Sequence, residues 1–181
     1  MNLANKLTLA RVLLVPIFMI FLLNNNIPYN DIIALIIFVI ASLTDTLDGY
    51  IARSRNQITK FGKFMDPLAD KLLVVAALIC FVEADKIGSW MAFIIIAREF
   101  IVTGIRILAA SDNITIAASK WGKIKTITQM TGIILILLDN FPFSYIGIDM
   151  DIIVMYIATI FTVISGYDYY YRNKEIFTNI S

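Results

Sequence analysis

Long apolar runs separated by short polar stretches set the pattern of this chain. Their lengths predict six helices, at about 7–23, 32–53, 66–82, 87–110, 120–138 and 152–171. Most of these are near the ~20 residues that a helix needs to cross the roughly 30 Å hydrocarbon core of a bilayer. The pattern therefore predicts an all-α, polytopic membrane protein with six transmembrane helices.

The second predicted helix carries acidic residues into the edge of the membrane. Its purely apolar part, 32–43, has 12 residues and covers only about 18 Å at ~1.5 Å per residue. To cross the bilayer, the helix has to continue through Asp45 and Asp48 to about Arg53. These carboxylates are then placed on a helix at the inner margin of the membrane and not in a loop.

The third predicted helix also begins beside a carboxylate. Asp66 is followed by Pro67, and Asp caps helix N-termini well while proline is tolerated in a first turn. We therefore expect this helix to start at Asp66 and residues 54–63 to form a polar, basic connection. An antiparallel arrangement of the two helices brings Asp66 and Asp70 toward the acidic end of the preceding helix.

Composition supports a membrane protein and excludes several kinds of chemistry. The 181 residues are 59% hydrophobic with a mean hydropathy of +0.80, which is too apolar for an average soluble domain and leaves room for one domain, 1–181. The chain has no histidine and one cysteine, Cys80. A Ser-His-Asp triad, a His-ligated zinc site and a disulfide framework are therefore excluded, which leaves carboxylates as the acid–base groups.

The distribution of Lys and Arg predicts the orientation. Thirteen of these 15 residues fall on the side that carries both termini, the 53–63 connection and the 106–125 stretch. Cytoplasmic segments are enriched in Lys and Arg, so both termini and the acidic cluster are predicted to face the cytoplasm. The tyrosines within 167–171 are typical of anchors at the membrane interface.

One motif concentrates acidic and small residues into 26 positions. Its fixed positions are Asp45, Asp48, Gly49, Ala52, Arg53, Gly62, Asp66 and Asp70. Residues three or four apart share a helix face, so each helix presents its carboxylates together. Two carboxylates about 6 Å apart repel by roughly 3 kcal/mol at an effective dielectric of ~20, so four of them need protons, cationic partners or bound metal. All-oxygen clusters favour hard divalent ions such as Mg²⁺ or Mn²⁺.

Parts of this pattern also have simpler explanations. Gly49, Ala52 and Gly62 permit close packing of membrane helices. Intramembrane carboxylates also occur in divalent-cation and proton transporters, which is an alternative of a different functional class. Three polar residues recur at every third position near the N-terminus: Asn5, Thr8 and Arg11. They form either an interfacial polar face with a snorkelling arginine or part of a binding site.

The motif resembles the signature of the CDP-alcohol phosphatidyltransferases, D-x-x-D-G-x-x-A-R-x8-G-x-x-x-D-x-x-x-D, at every fixed position. The resemblance implies that Asp45, Asp48 and Asp66 bind one Mg²⁺ or Mn²⁺ ion. Asp45, Asp66 and Asp70 are implied to share a second ion, with Asp70 as the general base. The implied CDP-lipid-binding residues are Asn5, Thr8, Arg11, Gly49, Ala52, Arg53 and Gly62. The resemblance also implies a homodimer.

A second basic set suggests an anionic acceptor. Arg98, Arg106, Lys120, Lys123 and Lys125 are candidates for binding its phosphate, because arginine and lysine are the usual phosphate partners. A mutual ion pair of these intramembrane charges that holds helices together, and cytoplasmic placement of the three lysines, are the alternative explanations.

Segments outside the signature suggest which acceptor is used. Arg98-Glu99-Phe100 and residues 120–126 resemble the bacterial branch of the family that uses glycerol 3-phosphate. The implied reaction joins CDP-diacylglycerol and glycerol 3-phosphate to give phosphatidylglycerophosphate and CMP. Inositol phosphate, or phosphatidylglycerol as in cardiolipin synthesis, are alternative acceptors. The expected location is the cytoplasmic membrane of a bacterium, with the active site facing the cytoplasm, lipids as partners and no nucleic acid.

Overall fold

The computed structural model describes the backbone of residues 3–54, 60–111 and 119–174. Within these ranges the chain is helical apart from short connections and has no strand. The helices are α1 (Leu3–Leu23), α2 (Asn30–Ser54), α3 (Lys60–Glu83), α4 (Ser89–Ser111), α5 (Lys120–Leu137) and α6 (Met150–Arg172), with a 3-10 turn at Phe143–Ile146. The predicted all-α class is confirmed, and each predicted helix corresponds to one of these six.

The start of α3 differs from the prediction. The helix begins at Lys60, six residues before Asp66, so the expected start at Asp66-Pro67 was wrong. A proline removes one backbone hydrogen bond from a helix but does not prevent the residues before it from being helical. Among residues 60–65, the lysines and Met65 favour a helix and Gly62 disfavours it, so local preference alone does not account for the earlier start.

Two of the described helical segments, Lys6–Leu23 and Met150–Arg172, are long and apolar enough to cross a membrane. The apolar part of α2, Asn30–Thr44, is shorter. On α1, Leu13 is 61% exposed and Ile20 is 62% exposed, while Arg11 on the same helix is buried. Exposed apolar side chains around a polar interior are expected of helices that face lipid. The finer prediction of six transmembrane helices stays a prediction.

The chain divides into two compact units, each with a core of its own. In the first unit, residues 1–86 and 137–139, α1 packs against both α2 and α3. Phe18 of α1 and Phe38 of α2 are fully buried, with ring centroids 5.9 Å apart. Ala34 and Ala41, one turn to either side of Phe38, are also fully buried and let α1 approach closely. This packing fixes the helices that carry the signature.

The second unit, residues 87–136 and 140–181, contains α4, α5 and α6. Trp121 on α5 stacks on Phe161 of α6, with ring centroids 5.9 Å apart. Farther along α5, Gly132 lies against Met155 so closely that a Cβ there would be 2.6 Å from the Met155 sulfur. Between α5 and α6, the Asn140 side-chain amide donates to the Ile148 carbonyl at 2.7 Å. The expectation of a single domain stays a prediction.

Candidate functional site

The signature residues lie on two helices of the first unit. Five of them fall in the last ten residues of α2 and three in the first eleven residues of α3. The prediction that the second helix continues through the acidic residues to about Arg53 is confirmed, since α2 ends at Ser54. The surroundings of all eight signature residues lie outside the described part of the structure: Asp45, Asp48, Gly49, Ala52, Arg53, Gly62, Asp66 and Asp70.

Arg11 joins α1 to α2 next to the signature. Its Nε donates to the Ala41 carbonyl oxygen at 3.2 Å and to the Thr44 hydroxyl oxygen at 3.4 Å. Thr44 directly precedes Asp45 in the sequence. Arg11 is only 1% exposed and Thr8, one turn earlier, is also buried. A snorkelling arginine keeps its charged end in water, so this burial excludes the snorkelling interpretation of Arg11.

The position of Arg11 brings a positive charge to the helix end that carries Asp45 and Asp48. A buried guanidinium is stable only where polar or anionic groups replace its hydration. The α2 carbonyl and hydroxyl supply part of that replacement. Thr8 shares the buried face of α1, whereas the side chain of Asn5 lies outside the described residues.

Arg98 lies where all three helices of the second unit approach one another. A Cβ at Gly122 of α5 would be 3.7 Å from Nη2 of Arg98, and a Cβ at Gly166 of α6 would be 3.5 Å from its Cγ. The two glycines leave the room that the long side chain occupies. The Nε of Arg98 is buried and has no hydrogen-bond partner in the described structure. A buried donor of this kind is suited to an incoming anion.

Glu99, the next residue, pairs with Lys125 of α5. Glu99 is 7% exposed and Lys125 is fully buried. The Glu99 carboxylate faces a lysine from another helix, so an ion pair that joins helices is present here between Glu99 and Lys125. Lys125 is thus paired with an acidic residue inside the second unit.

The remaining basic candidates occupy more open positions. Arg106 is exposed, and its guanidinium carbon lies 5.6 Å from the centroid of the Tyr169 ring. Lys120 and Lys123, near the start of α5, are exposed.

Tyr169 itself is buried, and the sequence did not distinguish it from its neighbouring tyrosines. Tyr169 lies four residues after Ser165, which is also buried, so the two residues share one face of α6. This spacing is the feature of the sequence that could have set Tyr169 apart.

Comparison with known proteins identifies the family. The model of the CDP-alcohol phosphatidyltransferase family matches residues 1–164. The chain belongs to this family.

Relatives cover nearly its whole length. A Bacillus subtilis protein named CDP-diacylglycerol–glycerol-3-phosphate 3-phosphatidyltransferase is 45% identical, and the match covers 96% of each chain. A Haemophilus influenzae protein of the same name is 41% identical, with 93% of this chain and 91% of the relative covered. A Mycobacterium tuberculosis protein named probable phosphatidylglycerophosphate synthase is 39% identical, with 94% and 81% covered.

The CDP-alcohol phosphatidyltransferase family is known to use divalent metal ions. Among the described side chains, no group of three or more His, Cys, Asp or Glu residues comes together. The signature contains four carboxylates in sequence, with Asp45 and Asp48 one turn apart on α2 and Asp66 and Asp70 one turn apart on α3. Four carboxylates without a thiol or imidazole form the oxygen donor set that Mg²⁺ and Mn²⁺ prefer. The residues present therefore fit the metal that the family uses.

Proposed function

We propose that this protein transfers the phosphatidyl group of CDP-diacylglycerol to glycerol 3-phosphate, giving phosphatidylglycerophosphate and CMP. The observation that carries the proposal is the 45% identity, over 96% of both chains, to the Bacillus subtilis protein named for this reaction. The complete signature on α2 and α3 supports the same chemistry.

In the proposed reaction, a hydroxyl oxygen of glycerol 3-phosphate attacks the lipid-side phosphorus of the CDP-lipid. A new P–O bond forms to the acceptor, the P–O bond to CMP breaks, and the hydroxyl proton passes to Asp70. Asp45, Asp48, Asp66 and Asp70 hold the divalent ions, Mg²⁺ or Mn²⁺. When bound, such ions neutralise the diphosphate and polarise its phosphorus.

The CDP-lipid is assigned to the residues around the signature: Asn5, Thr8, Arg11, Gly49, Ala52, Arg53 and Gly62. Support comes from Arg11, whose buried guanidinium is hydrogen-bonded to α2 within one residue of Asp45. A fixed positive charge at this point favours a diphosphate because electrostatic attraction is strong away from bulk water.

The acceptor phosphate is assigned to Arg98, Arg106, Lys120 and Lys123. The buried, unpaired Nε of Arg98 supports this assignment, as does the exposure of the other three cations. Lys125 is given a supporting role, since it neutralises Glu99 beside Arg98.

The proposed setting is the cytoplasmic membrane of a bacterium, with six transmembrane helices, both termini and the active site on the cytoplasmic side, and a homodimeric assembly. The distribution of Lys and Arg along the sequence supports the orientation. The exposed apolar faces of α1 and α6 support contact with lipid.

The test is CMP release by purified protein in detergent, with CDP-diacylglycerol and Mg²⁺ or Mn²⁺. Glycerol 3-phosphate is compared with inositol phosphate, serine and phosphatidylglycerol, and the Asp70→Asn variant is the control. Release that requires glycerol 3-phosphate supports the proposal. Release with another acceptor overturns the acceptor assignment. The absence of CMP with every acceptor, together with cation flux in liposomes, establishes the transporter instead.

A further inference from the structure

A groove of about 500 Å³ runs between α4 and α6, inside the second unit. Its α4 wall extends from Phe93 to Ile105 and its α6 wall from Thr162 to Tyr170. The lining side chains are mainly aliphatic and aromatic, and no carboxylate is among them. This volume lies in the range of ~300–1,000 Å³ that is typical of ligand-binding pockets.

The length of the groove matches one leaflet of a bilayer. The 12 residue steps from Phe93 to Ile105 correspond to about 18 Å along the helix axis. One leaflet contributes about half of the roughly 30 Å hydrocarbon core, or ~15 Å. The groove therefore has the length of a single acyl chain lying along the helices.

Positive charge accompanies this apolar surface. Arg106 follows the last lining residue of α4 and lies over the ring of Tyr169, which lines the groove. Arg98 also lines the groove, and its buried Nε has no hydrogen-bond partner in the described structure. The neighbouring carboxylate, Glu99, is paired with Lys125. The end of the groove at Ile105 thus has a basic and aromatic character from Arg106 and Tyr169, which is suited to a phosphate at the membrane interface, while Arg98 lies near the middle of the α4 wall.

We propose that this groove binds an anionic phospholipid, with one acyl chain between α4 and α6 and the lipid phosphate at Arg106. A soluble phosphate compound would not contact an apolar wall about 18 Å long. An uncharged hydrocarbon would gain nothing from the positive charge of two arginines. A phospholipid uses both features. The lipid is bound and not turned over, so the inference does not depend on the proposed reaction, although Arg106 is also assigned there to the acceptor phosphate.

The test measures lipid retention by native mass spectrometry without CDP-lipid, acceptor or metal. Delipidated protein in detergent is titrated with phosphatidylglycerol or with phosphatidylcholine of the same acyl chains. Val163 lines the groove, whereas its neighbour Ile164 does not, so Val163→Trp and Ile164→Trp form a matched pair. We expect Val163→Trp to weaken phosphatidylglycerol binding about tenfold, because the indole displaces methylene groups from the groove. Ile164→Trp is expected to bind like the wild type.

The charge requirement has a matched pair of its own. Arg106 and Lys174 each lie over a tyrosine ring of α6, at 5.6 Å and 5.7 Å from its centroid, but only Tyr169, the partner of Arg106, lines the groove. We expect Arg106→Gln to reduce the preference for phosphatidylglycerol over phosphatidylcholine several-fold and Lys174→Gln to leave it unchanged. Equal retention of the two lipids by the wild type overturns the proposal, and so does unchanged retention in Val163→Trp.

Photolabelling of the wild type gives a test that needs no groove-filling variant. Phosphatidylglycerol with a diazirine at the end of one acyl chain is expected to label α4 near Phe93, the end of the groove farthest from Arg106. Labelling confined to other helices contradicts the proposal. A disulfide between two copies carrying Val163→Cys shows that a second copy covers the groove, which also contradicts it.

Discussion

Lys125 on α5 and Glu99 on α4 pair with each other inside the second unit, and both are buried. Glu99 is the sole acidic residue of α4, whose other charged residues are Arg98 and Arg106. The lysine therefore neutralises the acidic residue, and α4 keeps the full positive charge of its two arginines. The pairing explains how a helix with an acid in its middle is suited to binding an anion.

Removing one member of this pair is expected to destabilise the protein. Lys125→Met leaves the Glu99 carboxylate buried without its partner, which typically costs about 3–5 kcal/mol of unfolding free energy. The double variant Glu99→Leu/Lys125→Met is expected to recover most of the loss, because it removes both charges. Thermal unfolding in detergent measures both effects, with the exposed Lys123→Met as control. A stable Lys125→Met protein with a raised KM for glycerol 3-phosphate would instead assign Lys125 to acceptor binding.

Arg98 is expected to act on the acceptor and not on the CDP-lipid. Loss of a charge-assisted hydrogen bond to a phosphate costs about 1.5–3 kcal/mol, or roughly 10–100-fold. We therefore expect Arg98→Ala to raise the KM for glycerol 3-phosphate by this factor and the KM for CDP-diacylglycerol much less. Arg172→Ala, which removes an exposed arginine paired with Asp168, is the control. Equal increases in both KM values would indicate that Arg98 has a purely structural role.

Arg11 is expected to have the opposite substrate dependence. Arg11→Ala removes the guanidinium that is bound to the Ala41 carbonyl and the Thr44 hydroxyl. We expect the KM for CDP-diacylglycerol to rise at least about tenfold, with a smaller change for glycerol 3-phosphate. Thr44→Val keeps the bond to the carbonyl, so its effect is expected to be smaller. If Arg11→Ala lowers the melting temperature but leaves the KM for CDP-diacylglycerol unchanged, Arg11 serves only to join α1 to α2.

The helices were predictable because long apolar runs and their polar interruptions are local features of the sequence. The extension of α2 to Ser54 followed from one physical requirement, since 12 apolar residues are too few to cross a bilayer. The start of α3 at Lys60 was missed because Asp66-Pro67 is a strong capping signal. A local signal of this kind is overridden when the preceding residues are also helical.

The contacts between helices were less predictable. Arg98 and Lys125 were recognised as candidate phosphate ligands, but the pairing of Lys125 with Glu99 depends on the register of α4 against α5. That register is set by side-chain packing and leaves no periodic signal in either helix alone. Tyr169 was grouped with the tyrosines beside it for the same reason, although it alone among them is buried.

Gly132 is expected to control the packing of α5 against α6. A Cβ at this position would lie 2.6 Å from the Met155 sulfur and 2.9 Å from its Cγ. Gly132→Ala is therefore expected to cost about 1–3 kcal/mol of unfolding free energy through overpacking. A Cβ at Gly104 would meet nothing within 4 Å, so Gly104→Ala is expected to be neutral or stabilising by up to ~1 kcal/mol.

Combination with Met155→Ala tests the cause of that cost. If the clash is responsible, Gly132→Ala is expected to be much less destabilising in the Met155→Ala background, because the conflicting atoms are gone. Thermal unfolding in detergent of the wild type, the two single variants and the double variant gives the coupling free energy between the two positions. Strictly additive changes would show that Gly132 acts through something other than contact with Met155.

Asp70→Asn is expected to separate binding from chemistry. The amide keeps the size of the side chain but accepts no proton from the acceptor hydroxyl, and it is a weaker ligand for a divalent ion. We expect CMP release to fall by at least about 10²–10⁴-fold, while CDP-diacylglycerol still binds in an equilibrium assay. Asp31→Asn is the matched control, because Asp31 pairs with Lys86 away from the signature. Turnover close to that of the wild type would remove Asp70 as the base and leave the remaining signature aspartates to be tested for that role.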